Sequence, residues 1–202
     1  MVTQSQLSLF SSPSVAQVWA FGGSRVLGSE SSRLASAAAS ALLARGCRLA
    51  VGCCTGADAC ALAASVALGL AFRVDVLGAF GSLDPAGRWP LGACPSSAVG
   101  AVRRAVSSGA SFRAWSGGGV SVPLSARLAA RTRAVARAAN AGAVVVLAPG
   151  SKGALLLARA VARRGLPVVA LPVAGAALPA LGGRWAPVIS GPLSGLGAHF
   201  LA

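Results

Sequence analysis

Short apolar runs alternate along this chain with alanine-rich stretches that close on a glycine. The pattern is clearest in residues 143–172. Val144-Val145-Val146-Leu147 is short, largely β-branched and without polar alternation, which predicts a strand buried on both faces. A turn, Pro149-Gly150-Ser151-Lys152-Gly153, follows it. Residues 154–164 are good helix formers and stop at Gly165, a natural C-cap. Val168-Val169-Ala170-Leu171 is a second buried strand. The four pieces make a βαβ unit with its glycine-rich turn at the carboxyl end of the first strand, where open α/β sheets bind ligands.

The same alternation runs upstream. It predicts strands at 15–21, 48–51, 72–77 and 110–115, and helices at 31–45, 57–68, 96–106 and 123–140. A Pro/Gly-rich loop covers 78–94, and a short strand is expected at Val188-Ile189. Residues 1–14 are polar and Ser-rich, a flexible lead-in to one domain over 15–202, with its core at 18–172 and a Gly/Pro-rich tail at 173–202. The predicted fold class is α/β: a Rossmann-like, doubly wound, mostly parallel sheet with helices on both faces.

Composition adds to this picture. Hydrophobic residues make up 55% of the chain, with a mean hydropathy of +0.72. Alanine-rich helices and a surface buried in a homo-oligomer would both raise that figure. The longest uncharged run, 165–183, is broken by Pro167, Pro172 and Pro179, so no membrane span is expected. The N-terminus lacks the basic region and apolar core of a signal peptide, which points to the cytoplasm. Cys47, Cys53, Cys54, Cys60 and Cys94 form no C-x-x-C pair, and His199 lies far from them, so no metal site is expected. Eighteen basic residues face four acidic ones, net +14. That balance suits a polyanionic partner, nucleic acid first, although a GC-rich genome also inflates arginine and alanine together.

The candidate chemistry sits in the turns. Gly23-Ser24-Arg25 follows the first strand and offers room for close approach, a hydroxyl and a forked cation. The second strand runs into residues 52–58, where Thr55 can N-cap the next helix behind Gly56. Asp58 either sits in that helix's first turn as a favourable charge or hydrogen-bonds a neighbouring loop or ligand. Trp115, next to Ser116 and three glycines, is either packing or a stacking face for a base. On the helix at 123–140, Arg127, Arg131, Arg133 and Arg137 are expected on one broad face, opposite Leu128, Val135, Ala136 and Ala139. No carboxylate at i+4 neutralises those arginines. Ser151, Lys152 and Gly153 place backbone N–H groups and a lysine at a helix start, which suits an anion.

Neither a G-x-G-x-x-G fingerprint nor a Walker A sequence is present. Together, however, five pieces in order resemble the Rossmann core of the DNA-processing protein A (Smf) family, whose superfamily also holds the lonely-guy phosphoribohydrolases. They are Gly23-Ser24-Arg25, the loop 52–58 with Thr55-Gly56-Ala57-Asp58, the loop 84–90 with Trp89-Pro90, Arg131-Thr132-Arg133, and Ser151-Lys152-Gly153-Ala154-Leu155. The resemblance implies a dimerising Rossmann fold that holds single-stranded DNA in a basic pocket without catalysis or cofactor. Ser24, Arg25 and Lys152 would then meet phosphates, and Arg131 and Arg133 would frame the pocket. Cys53-Cys54 departs from the family's small residues at that place. A nucleotide or nucleotide-sugar module and a structural subunit of a larger assembly are the alternatives. A nucleoside-monophosphate hydrolase is disfavoured, because no carboxylate follows Pro149–Gly153 as it does in the relatives' P-G-G-x-G-T-x-x-E motif.

Overall fold

The computed structural model describes residues 16–79, 96–114, 122–173 and 175–201. Among them eight strands form one sheet: β1 (Val18–Gly23), β2 (Arg48–Val51), β3 (Val74–Gly78), β4 (Ser111–Ala114), β5 (Gly142–Leu147), β6 (Val168–Pro172), β7 (Trp185–Pro187) and β8 (His199–Leu201). Their spatial order is β4-β3-β2-β1-β5-β6-β8-β7. The pairings among β1 to β6 are all parallel, and β8 and β7 close one side with antiparallel pairs. Among the described residues five helices intervene: α1 (Ser29–Ala44), α2 (Ala57–Ala67), α3 (Ser96–Ser107), α4 (Leu124–Ala138) and α5 (Lys152–Ala162). This is the doubly wound, mostly parallel Rossmann-like architecture the sequence predicts.

The sheet has two unlike faces. Trp19, Phe21, Leu49, Val51, Val74, Val76, Val144 and Val146 point to one side and pack with residues of α1, α2 and α3. Ala20, Ala50, Ala143 and Ala170 point to the other and pack with α4 and α5. Ala50, Ala20 and Ala143 are in register across three adjacent strands, so this face carries a row of methyl groups. Part of the chain's high alanine content is therefore core, on strands as well as helices. β5 is buried along its full length, as expected for a strand covered on both faces. α1 buries Ala35, Ala38, Ala39, Leu42 and Leu43, the spacing of an apolar helical stripe.

Several boundaries differ from the sequence reading. The expected start of the third strand is a 3-10 turn, Ala71–Arg73, because Phe72 is turned outward against Arg73. The expected strand at Val188-Ile189 lies just before those positions, as β7. β8 has no counterpart in the sequence reading: three residues that pair on both sides leave too little pattern to read. Among the described residues no helix is long and apolar enough to cross a membrane. The loop at 84–90 lies outside the described residues, as do Cys94 and Trp115 with its base-stacking role.

The methyl row gives the first test. Ala20→Leu should lower the unfolding free energy by about 1–3 kcal/mol through overpacking. Trp19→Ala, on the opposite face, should lower it by about 3–5 kcal/mol through a cavity. Urea midpoints at an unchanged slope check both.

Candidate functional site

β1 and β5 are neighbours, but the chain leaves β1 toward one face of the sheet and β5 toward the other. A crevice forms where such a strand order reverses, at the carboxyl ends. The loop after β1 enters it under tight control. Ser24 N–H donates to Val146 O at 2.9 Å, and Ala57 N–H donates to Ser24 O at 3.0 Å. The Ser24 hydroxyl donates to Val26 O at 2.9 Å and accepts Val26 N–H at 3.3 Å. The Thr55 hydroxyl donates to Arg25 O at 3.1 Å. A Cβ at Gly56, where φ is +70°, would fall 2.1 Å from Ser24 O, so only glycine lets the two loops meet.

Beneath these loops lies a buried ion pair. Arg131 reaches from α4 to Asp58 on α2, with Nη1 3.1 Å from Oδ2, and both residues are almost fully buried. Asp58 Oδ2 also accepts the Cys54 N–H at 3.0 Å, and Arg131 Nη2 meets Cys54 Sγ at 2.9 Å. The guanidinium passes directly over Gly52, where a Cβ would fall 1.3 Å from Nη1. Burial pushes the Asp58 carboxyl up to about 6, against the opposing pull of Arg131 and the Cys54 N–H. Burial by itself would weaken Arg131's hold on its proton, but Asp58 outweighs that and raises it. Those shifts pull the pair in different directions; two donors on one carboxylate oxygen decide for the ionised form at neutral pH.

Two of the sequence expectations are thereby corrected. Arg131 does not share an outward face with Arg133 and Arg137; it stands with Leu128 and Val135 on the buried side of α4. On the helical wheel it is only about 60° and 40° from those two residues, too close to be opposite them. Thr55 does not cap α2, whose N-cap is Gly56 without a side-chain bond; its hydroxyl serves the β1 loop instead. Asp58 takes the role of hydrogen-bonding a neighbouring loop, and adds the Arg131 pair.

Above the ion pair opens a groove of about 930 Å³. Gly23, Ser24, Arg25 and Val26 form one wall, and Pro149, Gly150, Ser151, Lys152 and Gly153 the facing one. Leu124, Ser125, Leu128 and Thr132 of α4 complete it. A smaller cavity of about 30 Å³, room for one water, lies against Asp58 and Arg131 and shares Gly23, Arg25, Thr132 and Gly153 with the groove. Arg25 and Lys152 are exposed, and among the described residues neither forms an ion pair and no carboxylate lines the groove. Arg133 is exposed on α4 but lines neither cavity. Ser24 is buried, its hydroxyl engaged by Val26. Val26, Leu124, Ser125 and Thr132 are groove residues that the sequence does not single out; the Arg131-Thr132-Arg133 motif is the one signal that points near Thr132.

Lys152 and Gly153 both run against the local preferences of a helix. Lys152 is the first residue of α5, where the macrodipole disfavours a cation, and the first turn holds no acid to offset it. Gly153 sits inside the first turn, and a Cβ there would meet nothing within 4 Å, so neither space nor strain calls for glycine.

Among the described residues no group of three or more His, Cys, Asp or Glu is positioned to hold a metal ion. Cys47, Cys53, Cys54 and Cys60 are not in disulfides, and the first three are buried. No family model matches the sequence, and no curated protein matches it. Among solved structures, the chain is similar to DNA processing protein A (DprA) from Streptococcus pneumoniae, with a TM-score of 0.54 at 18% identity. The chain has a DprA-like Rossmann fold. The match covers 84% of this chain and 53% of that one, so this chain spans about half the length of DprA.

Two tests separate frame from site. Asp58→Ala should cost about 3–5 kcal/mol of stability, since it strands a buried guanidinium, as chemical denaturation would show. Gly153→Ala should instead raise stability, by up to about 1 kcal/mol in the same assay.

Proposed function

We propose that the chain binds single-stranded nucleic acid, DNA in the first place, through backbone phosphates held in the β1/β5 groove, without catalysis or cofactor. The observation that carries this reading is the pairing of Arg25 and Lys152 across one groove with no described carboxylate beside them. A net charge of +14 adds long-range attraction for a polyanion. The positive end of the α5 dipole, with no acid in its first turn, suits a phosphate oxygen. Likeness to a protein named for DNA processing is consistent with it. The homo-oligomeric, cytoplasmic state expected from the sequence belongs to the same proposal.

The disposition of the three described acids supports a binding role over a catalytic one. Asp58 is engaged by Arg131, and Asp75 by Arg48 and the Ser111 hydroxyl at the amino ends of the strands. Glu30 is exposed in the first turn of α1. Acid–base chemistry in the groove would need a carboxylate or imidazole within hydrogen-bond reach of the substrate. One observation favours a second reading, a nucleotide-sized ligand: the groove volume falls within the roughly 300–1,000 Å³ usual for small-molecule sites.

Fluorescence titration with labelled oligonucleotides tests the proposal. Affinity should fall steeply with salt, and Lys152→Ala or Arg25→Ala should each lower both the affinity and the log–log salt slope, by about 0.7 per lost phosphate contact. Lys152→Ala should at the same time stabilise the free protein by roughly 0.3–1 kcal/mol, because it removes a cation from a helix start. No binding at low salt, or binding indifferent to salt, refutes the reading. Tight mononucleotide binding that oligonucleotides cannot displace establishes the second one.

A further inference from the structure

A second groove, of about 780 Å³, runs between α1, α2 and α3 on the other side of the β1 loop. Its floor is apolar and made of small or aliphatic side chains, among them Leu27, Ala59, Ala63 and Val66. Ser32, Ser36 and Thr55 add hydroxyls, and Arg104 of α3 stands at its margin, exposed. Among the described residues no carboxylate lines this groove, and Arg104 forms no ion pair.

The two grooves meet at Arg25 and Val26, which line both. Val26 is 84% exposed, the most exposed of the described large hydrophobic residues. Its backbone is nonetheless fixed, clamped through both N–H and C=O by the Ser24 hydroxyl. An aliphatic side chain is thus held in water on a rigid ridge, flanked by a cation.

We propose that this second groove is a continuation subsite for the same nucleic-acid strand, which crosses the Arg25–Val26 ridge and places a further phosphate on Arg104. The inference rests on the function proposed above. Charge and continuity select the occupant: a strand neutralised by Lys152 and Arg25 in the first groove emerges at Val26 and meets a further cation at Arg104. The chemistry of the floor fits as well, since bases present flat apolar faces whatever their sequence. Val26 packs against a base at the crossing.

Titration with oligothymidylates of increasing length decides the matter, comparing the native protein with Arg104→Ala and Ala63→Glu. Arg104 and Ala63 are both exposed on helices, and the second change sets a carboxylate in the groove. The expected result is native-like affinity for the shortest ligands and a several-fold loss for long ones. For the long ligands, Arg104→Ala should also lower the salt slope by about 0.7. Val26→Ala should weaken binding of a normal strand but not of an abasic one. If both groove variants bind every length as the native protein does, the proposal is overturned and the groove belongs to another partner. It is equally overturned if Arg104→Ala weakens the shortest ligands as much as the long ones. A native protein that binds no oligonucleotide at all refutes the underlying function instead, so the two failures are distinguishable.

Discussion

One ion pair ties the two halves of this fold together. α2 packs with the large-residue face of the sheet and α4 chiefly with the alanine face, so the edge of the sheet stands between them except where Leu128 of α4 joins the cluster on the α2 side. Arg131 spans that gap at the carboxyl edge, passing over Gly52 to reach Asp58. The connection is weak evidence for stability, since desolvating both charges offsets much of their attraction. Its effect is positional. With Asp58 also accepting the Cys54 N–H, the loop after β2, the start of α2 and the middle of α4 keep one arrangement. The β1 loop rests on that loop through Thr55, Gly56 and Ala57, and the groove wall inherits its place from the pair beneath.

The polar residues of this edge fall into two groups that the sequence mixes together. Ser24, Thr55, Asp58 and Arg131 spend their hydrogen bonds on the protein itself. Arg25 and Lys152 are exposed on facing walls of the groove with no described counter-charge. The internal group builds the frame and the external pair sets its sign. A motif such as Gly-Ser-Arg therefore contains a serine bonded within the protein next to an arginine that lines the groove, and equal weight on the two is misplaced.

The fold is legible where burial leaves a strong pattern. β5, α5 and β6 can be read because a strand covered on both faces tolerates only apolar residues and the turn that follows α5 closes on Gly165, where φ is +69°. The place of the groove follows from that topology. Arg131 misleads because an arginine on a helix looks solvent-facing until its buried partner is known, and that partner lies 73 residues away in sequence. Thr55 misleads for a similar reason: a hydroxyl two residues before a helix fits a cap, and the competing carbonyl of Arg25 is visible only in three dimensions. Val26, Leu124 and Ser125 carry no chemical signature. They matter through where they stand.

The bonds around Ser24 have a thermodynamic consequence for recognition. A glycine-flanked loop ordinarily loses its conformational freedom when a ligand arrives, and that loss subtracts from affinity. Here the freedom is already lost when the chain folds, because the serine hydroxyl, the Ser24 amide and carbonyl, and the Arg25 carbonyl are all engaged in the free protein. The ridge at Arg25 and Val26 is thus a hard edge, preorganised before any encounter. A ligand bound there as proposed would need no rearrangement of the backbone.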